Sequence, residues 1–162
     1  MIYIFVHKTN EVELAGTVAS QEMLDTGWQG YVGEIPERGS KFIMVDGVIT
    51  IDISPESKIK KDKISKDYVN ANYADIAYMN TTFQADEKSQ SMIIAVLSAG
   101  SVPDGFFWMD KENNQVSMTF SDLQGLSGTI LTRSQQNFIK LHSLKDQINS
   151  ASTLEDLDAI IW

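Results

Sequence analysis

The chain has 162 residues, 43% of them hydrophobic and 22% charged, which suits one globular domain or two small ones. Its formal charge of −9 repels phosphate backbones and anionic membrane surfaces, so neither is expected as a partner. With no cysteine, disulfides, thiolate nucleophiles and zinc–thiolate sites are excluded.

The first elements read as strands. Ile2–His7 alternates poorly but is strongly apolar and β-branched, and Val12–Val18 can pair back on it across a turn at Lys8–Glu11. The opening residues have no positive flank and are too short for a signal sequence, and no run approaches the roughly 18 apolar residues of a membrane span. These features predict a protein that stays where it is made. Ser20 can cap a short helix over Gln21–Asp25, ended by Gly27. Residues 28–40, with Gly30, Gly33, Pro36 and Gly39, read mostly as loop. Phe42–Val45 and Val48–Ile53 flank Asp46-Gly47, a type I′ hairpin signal.

Ser54-Pro55-Glu56 reads as a cap, a proline at the first helical position and an acidic first turn. The lysines that follow (58, 60, 61, 63 and 66) make a basic helix. Val69, Tyr73, Ile76 and Met79 continue its period, so one helix, or two in line, is expected over 56–79. Thr81–Ala85 fits a strand. Asp86-Glu87 opens a helix carrying Met92, Ile93, Val96 and Leu97, which Gly100 and Pro103 end.

A second hairpin is expected from Gly105–Met109 and Gln115–Met118, joined by Asp110–Asn114. Thr119 and Asp122 form a capping pair before a long helix. Leu123, Leu126, Ile130, Phe138, Leu141, Leu144 and Ile148 can share its inner face, and Gly125 and Gly128 weaken its first turns by about 1 kcal/mol each against alanine. Ser152 and Glu155 read as a capping box for a last short helix with Leu154, Leu157, Ile160 and Ile161, running into Trp162.

The whole reads as α+β. A small β-rich N-terminal domain (1–54) is followed by a basic connecting helix (55–67). A mixed domain dominated by helices, with one β-hairpin, completes it (68–162).

No constellation nominates a reaction. His7 and His142 lack partners at catalytic spacing. Asp110–Asn114 does not continue as a calcium loop, because Gln115 and Ser121 stand where Gly and Glu are needed. Asp86 and Glu87, adjacent on a helix, point about 100° apart and do not converge on one bond. No catalytic, cofactor or metal residue is expected. The candidates are for partner binding. Phe106 and Trp108 share one face of the second hairpin, Lys60 and Lys61 lie in the basic helix, and Trp162 is costly to expose. For each, packing within the domain or a solvated helix face is the competing reading.

From Phe83 onward the pattern resembles a known family. Phe83, Asp86, Ser89, Trp108, Asp110, Asn113, Val116, Thr119, Leu123 and Lys140 match a small domain of unknown function that recurs in tail-fibre and tail-fibre-associated proteins of tailed bacteriophages. The resemblance covers about residues 68–162. It departs in its basic residues: Arg133 is the one arginine of that stretch, and Asn70, Asn72 and Tyr73 replace basic positions before the first strand. What it implies is a non-enzymatic tail-associated protein in the host cytoplasm during assembly or on the virion tail. The partner would be the tail fibre or another tail protein, with a homo-oligomer as a further option. A tail enzyme acting on host polysaccharide and an unrelated soluble adaptor are the alternatives.

Overall fold

The computed structural model describes residues 3–7, 12–13, 25, 28–32, 41–45 and 48–162. The protein is α+β, with small antiparallel sheets and a C-terminal part dominated by helices. It divides into two compact units. One comprises Met1–Lys60 with Ser150–Ala159, the other Lys61–Asn149 with Ile160–Trp162.

In the first unit, β1 (Tyr3–His7) lies between β2 (Val12–Glu13) and β3 (Trp28–Val32). β1 pairs antiparallel with β3 from Tyr3↔Val32 to His7↔Trp28. The loop expected over 28–40 is therefore a strand at its start. Trp28, Tyr31 and Val32 are good strand formers, and they outweigh the single Gly30. β4 (Lys41–Val45) and β5 (Val48–Asp52) pair with Val45 opposite Val48, the register of a two-residue connection. The turn expected at 8–11, most of the short helix at 21–25 and the turn residues Asp46-Gly47 lie outside the described residues.

Helix α1 (Ser54–Tyr73) starts on the expected cap residue, one residue before the expected first helical position, Pro55. Ser57 N–H already donates to the Ile53 carbonyl (2.8 Å), and Asp52 Oδ1 accepts the Ser54 N–H (3.0 Å). Pro55 is thus in the second helical position, where its missing N–H still costs nothing. The helix does not run on to Met79. Ile76–Tyr78 is a strand, β6, paired with β7 (Thr81–Phe83). Met79 and Asn80 both take positive φ (51° and 58°), the conformation of a type I′ turn, so the helical period through Ile76 and Met79 is coincidental.

Two helices start in the second unit, a shorter one and then a long one. Asp86 caps α2 (Glu87–Ser98) by accepting the Ser89 N–H at 2.7 Å. Gly100, at φ 79°, follows its end. β8 (Phe107–Met109) and β9 (Gln115–Ser117) form the expected hairpin. Its loop is tied by Asp110, whose Oδ1 accepts the N–H groups of Glu112 and Asn114, both at 2.8 Å.

Helix α3 (Phe120–Ser150) opens on a reciprocal box. Asp122 Oδ2 accepts from Thr119 N–H (2.8 Å) and hydroxyl (2.6 Å), while Asp122 N–H donates to Thr119 Oγ1 (3.1 Å). A short α4 (Leu154–Ala159) belongs to the first unit. Its box is shifted by one residue from the expected Ser152/Glu155 pair. Thr153 Oγ1 accepts from Asp156 N–H (3.0 Å), and Asp156 Oδ2 accepts from Thr153 N–H (2.9 Å). Asp156, not Glu155, stands three residues after the cap.

The core of the second unit gathers Ile76, Phe83, Ala85, Ile93, Met118, Leu123, Leu126 and Ile130. Each large side chain among them contributes about 1.5–3 kcal/mol by burial. Farther along α3, Leu141, Leu144 and Ile148 are also buried. Phe138, expected on this inner face, is instead exposed.

Candidate partner-binding surface

Phe138 lies outside because it falls about a quarter-turn away from the face that Ile130, Leu141, Leu144 and Ile148 bury, and the middle of that inner face is polar. Between Ile130 and Leu141, the half-buried residues of the helix include Arg133, Ser134 and Asn137. Arg133 spreads its guanidinium over the end of α1. Nη2 donates to the Asn72 carbonyl (2.6 Å), and Nη1 donates to those of Ala74 (2.6 Å) and Asp75 (3.3 Å). Asn137 Nδ2 donates to Asn72 Oδ1 (2.9 Å), and Gln90 Nε2 of α2 also reaches the Asn72 carbonyl (2.9 Å). The last turn of α1 has no basic residue of its own, so Arg133 supplies the cation that its negative dipole end favours. Burial pulls the guanidinium below its usual range, and the nearby charge of Asp75 opposes that shift. Arg133 Nε is buried with no hydrogen-bond partner, a further cost of the placement.

α3 also carries a second apolar stripe outward. Leu131, Phe138 and Ile139 are 69%, 53% and 61% exposed. Phe138 is in ring contact with His142 one turn on, at a centroid distance of 4.4 Å. Gln124, Gly128, Leu131, Gln135, Phe138 and His142 are all exposed and separated by alternating steps of four and three residues. That is the spacing of one continuous seam along a helix. On the adjoining side, Ile76, Gly125, Gly128, Thr129, Thr132, Arg133 and Gln136 line an open groove of ≈ 550 Å³. Tyr78 fills the space beside Gly125, whereas nothing stands over Gly128.

The residues singled out from the sequence are not brought together. Phe106 and Trp108, 6.2 Å apart, are partly buried against their own core, and the hairpin turns Phe107 and Met109 outward. Trp162 is half-buried on its own unit, edge-on to Tyr68 at 6.2 Å and beneath Lys140 Nζ at 4.9 Å. Lys60 Nζ donates to the Asp158 carbonyl at 3.4 Å within the first unit. Lys61 is half-buried and its carbonyl accepts the Ser65 hydroxyl at 2.7 Å. The α3 stripe was not among those candidates. Its signal was present in the 3–4 spacing, but a helix with two apolar stripes looks, in one dimension, like a helix with one broad one.

Among the described residues no group of three or more His, Asp or Glu is placed to hold a metal, and no helix is long and apolar enough to cross a membrane. The class is thus a helix-dominated α+β protein bearing a solvent-facing apolar stripe on its longest helix. It belongs to the family described as a domain of unknown function, DUF4376, whose model matches residues 56–161. No curated protein and no solved structure matches the chain.

Proposed function

We propose that the protein is a non-enzymatic, tail-fibre-associated protein of a tailed bacteriophage, which binds the fibre as an assembly factor or as a component of the virion tail. The observation that carries a binding role is the outward stripe of α3. Three large apolar side chains stay in water on a helix whose opposite face already holds the core. Exposing a contiguous apolar surface costs free energy that association with a partner recovers. The tail context rests on the resemblance of residues 68–162, a stretch that the family match overlaps almost throughout.

The test is to delete the gene from the phage that encodes it, and to assay purified wild-type virions by mass spectrometry alongside fibre solubility. Presence in virions selects the tail component. Absence from virions combined with insoluble fibre in the deletion selects the assembly factor. Absence with fully soluble, functional fibre overturns the proposal.

A further inference from the structure

We draw no further inference here: the strongest candidate, the outward apolar stripe of α3 at Leu131, Phe138 and Ile139, is an unpartnered helix face, and nothing in the structure shows what covers it.

Discussion

Arg133 shows how one side chain decides what a helix can offer. Its fork satisfies three carbonyls at or just beyond the end of α1 from a position on α3, and Asn137 adds a fourth contact to the same turn. A helix end without capping residues of its own would otherwise leave these acceptors to water while its dipole goes uncompensated. Hydrogen bonds to a charged group contribute a net of about 1.5–3 kcal/mol each, and the partial exposure of this site lowers that figure. We therefore expect Arg133→Ala to destabilise the protein by about 2 kcal/mol, measured as a shift of the urea midpoint at constant m-value. Arg133→Lys should recover less than half of that loss, because a single ammonium cannot serve carbonyls on both sides of the fork. Full recovery by lysine would mean that charge alone, not the bonding geometry, holds the end of α1.

At the scale of the element, α3 carries two glycines that behave oppositely. A Cβ at Gly125 would collide with the Tyr78 ring and hydroxyl, whereas a Cβ at Gly128 would meet nothing within 4 Å. Glycine in a helix interior costs about 0.8–1.0 kcal/mol relative to alanine. Gly128→Ala should therefore raise stability by roughly that amount, as Tm or urea midpoint records. Gly125→Ala should lower it despite the same propensity gain, since Tyr78 packs against the core through the space the methyl would take. Combining Gly125→Ala with Tyr78→Ala should reduce the penalty specific to the glycine, a coupling that a double-mutant cycle measures.

From the sequence alone these glycines look alike, because helical spacing does not report what lies across the helix. The same limit explains the other misreadings. Cap chemistry is legible where the side chain acts on its own turn, as with the Thr119/Asp122 pair, and the acidic start at Asp86-Glu87 marks its helix end without saying that Asp86 is the cap. The α4 box was misassigned by one residue because Ser152-Thr153 offers two hydroxyls and Glu155-Asp156 two carboxylates. The period through Ile76 and Met79 matched a helix, yet strand pairing with Thr81–Phe83 prevailed. Phe138 is seven residues from Leu131 and shares its outward side, a quarter-turn from the buried face, while the polar turn beside it meets the end of α1, a partner far away in sequence.

At the scale of the whole molecule, the capping carboxylates link stability to pH. Asp86 is held below the usual carboxylate range chiefly by the Ser89 N–H, Asp122 by the Thr119 hydroxyl and Asp156 by the Thr153 hydroxyl. Asp110 is lowered in the hairpin loop by the Asn114 N–H. A depressed folded-state pKa means that the unfolded chain binds the proton first. The stabilisation is therefore complete above the unfolded value, about 3.9 for Asp, and is lost as pH falls through the lower folded values. The overall charge acts the other way. At −9 the folded chain repels itself, and protonating carboxylates that make no such bonds relieves that repulsion first. Stability should hold or rise slightly as pH falls from 7 to about 5, then decline below about 4 as the caps protonate. Thermal midpoints measured from pH 7 to 2.5 test this, with Asp122→Asn and Asp156→Asn in one chain as the comparison. The double variant should be less stable than the parent at neutral pH and should lose less on acidification, so that the two curves converge toward pH 2.5. Curves that stay parallel across that range would assign the acid transition to groups other than the helix caps.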